Sequence, residues 1–412
     1  MVLSKVIIGD SRKMIEVTDN SIDLVVTSPP YWHIKNYGFE GQIGYGQSLH
    51  EYLKNLYLVW LECYRTLKPG TRLCINIGDQ FLRSIIYGRY KIAPLHSEFI
   101  VQCEKIGFDY MGSIIWQKKT TMNTTGGAAV MGSYPYPPNG LVEIDYEFIL
   151  IFKKPGKKEF SREAKEKSKL SKEEWKQYFS GHWNFNGERQ AGHEAMFPEE
   201  LPKRLIKMFA FAGDNVLDPF LGSGTTSKSA MNLGRNSVGY EINEEFLPLI
   251  KEKIGIENTL IDFNNKIEII KRKKPIIVEY IKDYVPNIKD AKPLIPPEKL
   301  KFKNEKLYKV KEVKENNLLE LDTGLKVKFE GINILPEKTS DVKKYLEEYV
   351  KGKQISLKFE PSAKPENNVI PAYVYLKNKI FINKEILKNN FADVIPQEFK
   401  YKNNFLKALN GG

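Results

Sequence analysis

The sequence predicts an α/β chain: a Rossmann-like, mostly parallel sheet covered by helices, followed by a small, separate β-rich domain. Three observations carry this reading. Short apolar strand-like runs alternate with amphipathic helix-length runs through the first part of the 412 residues. A glycine-rich turn, Asp218 to Thr226, directly follows one of those apolar runs. A Lys-, Pro- and Ile-rich stretch, with Lys292-Pro293 and Pro296-Pro297, then interrupts the pattern. With 42% hydrophobic residues the chain is long enough for two cores. The expected division is a first domain over 1–271, a linker over 272–302 that is not packed core, and a second domain over 303–412.

Strand Val6-Ile8 opens the chain, a Gly9-Asp10 turn follows, and a buried strand, Ile22-Thr27, ends at Ser28-Pro29-Pro30. His50 to Leu67 carries apolar residues at Leu53, Leu56, Tyr57, Trp60, Leu61 and Tyr64, a helical stripe that stops at Lys68-Pro69-Gly70. Arg72-Ile77, Tyr110-Gln117, Glu147-Phe152, Asn215-Asp218 and Ser237-Tyr240 read as further strands, and Ile92-Gly107 as helix. Lys118-Gly140, rich in Thr, Gly, Tyr and Pro, lacks periodicity and reads as a long loop. Charge-dense Lys153-Glu174 reads as exposed, part of an insertion Lys153-Phe185 that with the Lys118-Gly140 loop is a candidate for target recognition, and the chain turns helical again after Met196-Phe197-Pro198, as far as Phe211.

Lys and Arg number 63 against 51 Asp and Glu, a formal net charge of +12 that suits a polyanionic partner. Cys63, Cys74 and Cys103 show neither a disulfide framework nor zinc-ligand spacing, so no metal site is expected and a reduced, cytoplasmic setting follows. No run approaches the ~20 apolar residues of a membrane span, and the N-terminus has no leader pattern, so no membrane partner is expected.

Two loops carry chemistry. In Asp218-Pro219-Phe220-Leu221-Gly222-Ser223-Gly224-Thr225 the glycines let the backbone approach a ligand closely, where an open α/β sheet usually takes a nucleotide-like cofactor. About twenty residues on, Glu241 ends the next strand, placed to accept both hydroxyls of a ribose. In Thr27-Ser28-Pro29-Pro30-Tyr31-Trp32 two prolines fix the backbone and remove amide donors, leaving carbonyls as acceptors. An exocyclic base amine is a poor nucleophile because its lone pair is delocalised; acceptors on its N–H groups draw it towards sp³. Ser28 Oγ and the Pro29 carbonyl are the candidate acceptors, and Tyr31 the candidate stacking surface for a base taken out of the duplex. Trp32 either assists the stacking or belongs to the core. By itself the turn is equally a rigid proline corner with packed aromatics.

Together these residues resemble the amino-methylating DNA methyltransferases of restriction-modification systems, over roughly residues 1 to 255. In the β arrangement of that family the catalytic motif precedes the cofactor motif, as Ser28-Pro29-Pro30-Tyr31 precedes Phe220-Leu221-Gly222-Ser223-Gly224 here. The resemblance implies a circularly permuted seven-stranded sheet with one antiparallel strand, and S-adenosylmethionine as cofactor. It implies that Asp10 contacts the cofactor's adenine and that Glu241 takes the ribose. It also implies that Asp218, Pro219, Phe220, Gly222, Ser223, Gly224 and Thr225 surround the methionine half, with Phe197 and Pro198 on the helix covering it. Ser at position 28 is typical of N4-cytosine enzymes, Asp of N6-adenine enzymes. The implied activity is N4-cytosine methylation of double-stranded DNA beside a cognate restriction endonuclease. The alternatives are N6-adenine methylation and a non-catalytic DNA-binding protein with a relic cofactor fold. Chemistry at cytosine C5 needs a cysteine nucleophile, usually after proline; Cys63, Cys74 and Cys103 follow Glu62, Leu73 and Gln102.

A second resemblance covers about residues 305 to 409: Leu325 to Glu337, the helix that follows, Ala372-Tyr373-Val374-Tyr375 and Ile382 to Leu387 look like a staphylococcal-nuclease-type OB barrel. Its catalytic pattern is broken. Lys328 and Val369 stand where that family has arginines, and Glu337 alone is insufficient. The resemblance implies a barrel without nuclease activity that binds DNA or, alternatively, braces the first domain or mediates contacts between chains. Oligomeric state and recognition sequence are not legible in the sequence.

Overall fold

The computed structural model describes residues 2–32, 41–118, 138, 142–187, 197–255, 265–272, 284–296, 299–300, 307–360 and 363–409. These fall into two compact units: residues 1–80 with 93–290, and residues 81–92 with 291–412.

In chain order the first elements are β1 (Val2–Ile8), β2 (Ile22–Thr27), α1 (Leu49–Thr66) and β3 (Leu67–Ile77). After β4 (Gln80–Leu82), α2 (Ser84–Tyr87) and β5 (Lys91–Ala93) come α3 (Leu95–Ile106), β6 (Asp109–Lys118) and β7 (Tyr146–Lys153). Then follow α4 (Arg162–Lys167), α5 (Lys172–Tyr178), β8 (His182–Phe185), α6 (Glu200–Phe209), β9 (Asn215–Asp218), α7 (Thr225–Asn232), β10 (Asn236–Glu241), α8 (Leu247–Ile254) and β11 (Asn265–Lys271).

Nine of these strands form one sheet in the order β11-β1-β10-β9-β2-β3-β7-β6-β8. Every neighbouring pair is parallel except the two that involve β7. The expected seven strands are therefore present with one more at each edge. All six residues of β2 are buried, as a central strand covered on both faces requires. Helix α1 starts at Ser48 in a capping box with Glu51 and buries Tyr52, Leu53, Leu56, Val59, Trp60 and Cys63. Of the apolar residues the sequence periodicity points to, Leu53, Leu56 and Trp60 are buried, whereas Tyr57, Leu61 and Tyr64 are half-buried, because the buried face is turned toward Tyr52, Val59 and Cys63.

Two expectations are corrected. Residues 153–185 are exposed only in part: the stretch ends in β8, which pairs with β6, and Trp183 and Tyr178 are buried. Residues 272–302 contribute packed core: Tyr284 is buried in the first unit, and Ile295 and Leu300 in the second. In the first unit, the buried Glu98 carboxylate accepts from the Tyr284 hydroxyl and from the backbone N–H groups of Asn287 and Ile288. Most of the Lys118-Gly140 loop, and His193 to Met196, lie outside the described residues.

The second unit is built from β12 (Leu307–Val313), β13 (Leu319–Leu321), β14 (Lys326–Phe329), β15 (Ile332–Ile334), α9 (Thr339–Tyr349), β16 (Gln354–Lys358), β17 (Val369–Leu376), α10 (Ile382–Lys388), β18 (Ala392–Val394) and α11 (Lys402–Leu409). Strands β12-β13-β14-β17-β16 close into a barrel, with β14 and β17 as its parallel pair. Leu319, Leu321, Val327, Ile355, Ile370 and Val374 fill it. Asn383, fully buried, accepts from Val374 N and donates to the Glu330 carbonyl, satisfying two backbone groups at the barrel wall. Among the described residues no helix is long and apolar enough to cross a membrane.

Candidate active site

The parallel strands β1, β10, β9, β2 and β3 all end at one edge of the sheet, and each carries a polar loop there. The loops are Gly9-Asp10 after β1, Glu241 at the end of β10, Asp218 to Gly224 after β9, Ser28 to Trp32 after β2, and Gly78-Asp79 after β3. Ligands of open α/β sheets bind at this edge. The two loops singled out by sequence, nearly 190 residues apart, meet because β2 and β9 are sheet neighbours.

Asp218 joins them. Its Oδ1 accepts from Thr27 Oγ1 at 2.8 Å and from Phe220 N at 3.0 Å, and its Oδ2 from Thr226 Oγ1 at 2.6 Å. The carboxylate is buried at 1% exposure, and burial raises its pKa to about 6 against the lowering effect of those donors. A carboxylate so enclosed holds loops together; it does not face a ligand as the sequence reading placed it. The loop itself needs glycine at Gly222 and Gly224, whose φ values are +54° and +92°. From α8, Lys253 donates to Ser223 Oγ and Thr225 Oγ1, each at 2.8 Å.

Glu241 accepts from Gly222 N at 2.9 Å and from Asn243 N at 2.8 Å, so the acid and the glycine loop form one cradle. Burial raises its pKa to about 7, with Asp218 adding to the rise and the two backbone donors opposing it. Gly9 N donates to the Glu241 carbonyl at 2.8 Å. A Cβ on Gly9 would lie 2.6 Å from Arg272 Cδ, which explains glycine there. Arg272 in turn donates to the Asp10 carbonyl and pairs with Glu16. The Asp10 carboxylate is clamped by Arg12, whose Nε lies 2.9 Å and Nη2 2.5 Å from Oδ2. Phe197 is half-buried against the cluster containing Val26, Ile206 and Ala230, and the Pro198 carbonyl accepts from Leu201 N. Phe220 presents its ring to the edge of the buried Trp60.

On the other side of Asp218, among the described residues neither Ser28 Oγ nor the Pro29 carbonyl has a hydrogen-bond partner in the protein, so both acceptors are unspent. The Pro30 carbonyl accepts from Tyr52 OH at 3.0 Å. Trp32 is buried at 1% exposure, and its indole donates to the Gln47 carbonyl. The Gln80 amide bridges its backbone N and O when turned to match them. Trp32 is therefore core beneath the turn, the second of its two expected roles, and not a stacking surface. Tyr31 is half-buried, and its hydroxyl donates to Glu147 at the start of β7.

Arg12, Arg272, Lys253 and Glu147 belong to this site and are not singled out by the sequence, while Thr27 stands in the motif segment without a role of its own. Thr27 was readable in part, as a hydroxyl ending an apolar strand. Arg272, Lys253 and Glu147 reach the site from remote elements and carry no local signal, and Arg12 lies two residues from Asp10. Among the described residues no group of three or more His, Cys, Asp or Glu is placed to hold a metal ion.

A family model for DNA methylases, the N6/N4 methyltransferases, matches residues 22–252. The type II methyltransferase M.MjaI of Methanocaldococcus jannaschii is 41% identical over 298 residues, 65% of this chain and 96% of its own length. M.MthZI of Methanothermobacter thermautotrophicus is 33% identical over 319 residues, 71% of this chain and 85% of that one. TTHA0409 of Thermus thermophilus, described as a putative DNA modification methylase and crystallised with S-adenosyl-L-methionine, is 35% identical, with a TM-score of 0.51. It matches 65% of this chain and 99% of its own.

The Asp218 network sets a pH dependence. Its folded-state value of about 6 lies above the ordinary aspartate value of 3.8, so the folded chain holds the proton more tightly than the unfolded one. That contribution to stability is complete below the unfolded value and is lost as pH rises through about 6. Its full size is about 3 kcal/mol. Asp218→Asn is expected to flatten the unfolding free energy over this window in urea titrations at successive pH values. A slope equal to that of the parent would show that Asp218 is not the group responsible.

Proposed function

The chain belongs to the DNA methylase family, and from that premise we propose that it transfers a methyl group from S-adenosylmethionine to N4 of a cytosine flipped out of double-stranded DNA. The observation that carries this reading is the junction of Ser28-Pro29-Pro30-Tyr31 with the Asp218-to-Thr226 loop through the Thr27–Asp218 hydrogen bond. The motif strand β2 precedes the cofactor-loop strand β9 in the chain yet lies beside it in the sheet, which supports a circularly permuted methyltransferase fold.

The residues present fit this cofactor. Gly222 and Gly224 open the backbone, Glu241 offers carboxylate acceptors beside them, and Gly9 keeps the neighbouring turn close. Glu241 takes the ribose hydroxyls, Asp10 and its turn the adenine, and Phe220, Ser223, Thr225, Phe197 and Pro198 the methionyl half. Bound S-adenosylmethionine supplies an electrophilic methyl group on a sulfonium. Ser28 Oγ and the Pro29 carbonyl accept the two N–H bonds of the base amine, restoring lone-pair density to the nitrogen. The Tyr31 ring stacks on the base and holds it in line. The excess proton of the amine would leave to solvent, since no residue of the motif is a strong base.

The choice of cytosine rests on Ser28, a neutral acceptor where an aspartate is the adenine-type residue. The family and the relatives support a restriction-modification setting with a cognate endonuclease. Digesting DNA after incubation with the enzyme and cofactor, and identifying the modified nucleoside by mass spectrometry, tests the reading. N4-methylcytosine is expected. N6-methyladenine as sole product would overturn the choice of base, and cofactor binding without transfer to any DNA would leave a DNA-binding protein.

The ribose role of Glu241 has its own signature. Hydroxyl donors favour the ionised carboxylate, so cofactor affinity is expected to rise as pH climbs through about 7, by up to about tenfold per pH unit below it. In Glu241→Gln the titration should be flat and affinity about 10- to 100-fold lower. Equilibrium dialysis across this range decides; an unaltered affinity removes Glu241 from the site.

The closed five-stranded barrel of the second unit supports an OB-type, staphylococcal-nuclease-like reading, with Lys326 and Lys328 exposed along β14 where a nucleic acid contacts such barrels. In this reading it grips DNA and cleaves nothing. Lys326→Glu with Lys328→Glu is expected to weaken DNA binding and reduce the slope of log affinity against log salt by about one for each phosphate no longer neutralised. A salt slope equal to the parent's leaves the barrel a bracing or chain-to-chain role.

A further inference from the structure

Glu147 is 6% exposed at the start of β7, and three separate elements converge on its carboxylate. The Tyr31 hydroxyl, from the turn after β2, donates to Oε1, and so does the Lys118 ammonium at the end of β6. Asn76 Nδ2, near the end of β3, donates to Oε2 at 2.6 Å. Gly78 allows the approach, since a Cβ there would lie 3.1 Å from Glu147 Cγ. Burying a carboxylate is costly unless it is paired and hydrogen-bonded, and here a counter-ion and two neutral donors are assembled around it. The arrangement retains an uncompensated cost: Asn76 Oδ1 is buried without a donor among the described residues. Unsatisfied buried groups of this kind call for a functional account.

Tyr31 is the only one of the three donors that belongs to the motif. A tyrosine on a turn can rotate about two side-chain bonds, and its ring is useful to a base only in one orientation. Bonding the phenol hydroxyl to an immobile carboxylate removes that freedom, while the ring remains half-buried with part of its surface available.

We propose that Glu147 is a positioning residue for methyl transfer, acting through Tyr31: it fixes the aromatic ring on which the target base stacks, with Lys118 balancing its charge and Asn76 holding its second oxygen. The proposal rests on the reading of Ser28 to Tyr31 as the base pocket. It makes Glu147 neither a proton acceptor for the amine nor a cofactor ligand.

The test is a double-mutant cycle of Glu147→Gln and Tyr31→Phe in the full chain, with Tyr31→Ala as a control. Initial rates of methyl transfer from labelled S-adenosylmethionine to unmethylated plasmid DNA give kcat and KM, and equilibrium dialysis gives cofactor affinity. Each single substitution is expected to lower kcat about tenfold or more, with cofactor Kd unchanged within about twofold, and the double variant should be no worse than the poorer single one. Multiplying effects would show that Glu147 acts independently of Tyr31 and would overturn the proposal, as would a parental kcat in Glu147→Gln. Should Glu147→Gln fail to fold, Tyr31→Phe still decides: it keeps the ring and loses only the tether, so parental kinetics in that variant also overturn it. Tyr31→Ala separates the two levels. Transfer lost in Tyr31→Ala and retained in Tyr31→Phe sinks the tether alone, whereas transfer retained in Tyr31→Ala sinks the pocket reading beneath it.

Discussion

The site depends on one buried carboxylate. Asp218 receives hydroxyls from Thr27 on β2 and Thr226 on α7 and an amide from Phe220, so the end of the motif strand, the glycine loop and the following helix share a single acceptor. Parallel strands bring loops to one edge, but sheet register alone leaves their side chains free to drift. A charge-accepting group in a low-dielectric interior, with its donors satisfied, fixes them far better than an exposed contact does. The raised pKa is the sign of that cost: burial dominates over three donors.

Around this point the site divides into two chemically distinct halves. On the β10 side, Glu241, the Gly222 amide, Gly9 and the Arg272–Asp10 contact build a cradle from backbone groups and a partly desolvated acid. On the β3 and β7 side, Ser28 and Pro29 keep their acceptors, while the Pro30 carbonyl accepts from Tyr52, the Trp32 indole donates to the Gln47 carbonyl, and the Trp32 backbone is bonded by Gln80. The turn is thus anchored at one end by packed aromatics and open at the other. The prolines contribute by removing two donors that would otherwise compete for those acceptors.

Legibility in the sequence followed range. Helix α1 announced itself through its stripe and its Lys68-Pro69-Gly70 stop, and the buried β2 and β9 through apolar runs ending in Pro-Pro and Asp-Pro. Both loops at the sheet edge carried glycine or proline chemistry that no ordinary strand end requires. What stayed hidden was decided by neighbours distant in the chain. Glu147 looks like any acid before an apolar strand until β7 pairs with β3 and β6. Trp32 reads equally as stacking surface or core until its bonds to Gln47 and Gln80 place it in the core. Tyr284 and Ile295 sit in a Lys- and Pro-rich stretch whose composition resembles linker, because a few apolar anchors suffice to hold a segment onto a core. Strand β8 follows a charge-dense run and is revealed only by its partner β6.

The electrostatics of the two halves also fit the chemistry proposed for them. Asp218 and Glu241 each have pKa values pushed up by burial, and the Asp218 charge adds to the rise at Glu241, so the cradle disfavours its own second negative charge. Hydroxyl donors or a positive charge brought to that place would each relieve the penalty, which an anionic ligand would increase. On the other side of Asp218 the buried Glu147 carboxylate is balanced by Lys118, and the unspent acceptors of the turn are the uncharged Ser28 hydroxyl and Pro29 carbonyl. A serine at position 28 adds no further carboxylate to Asp218, Glu241 and Glu147, which an aspartate there would.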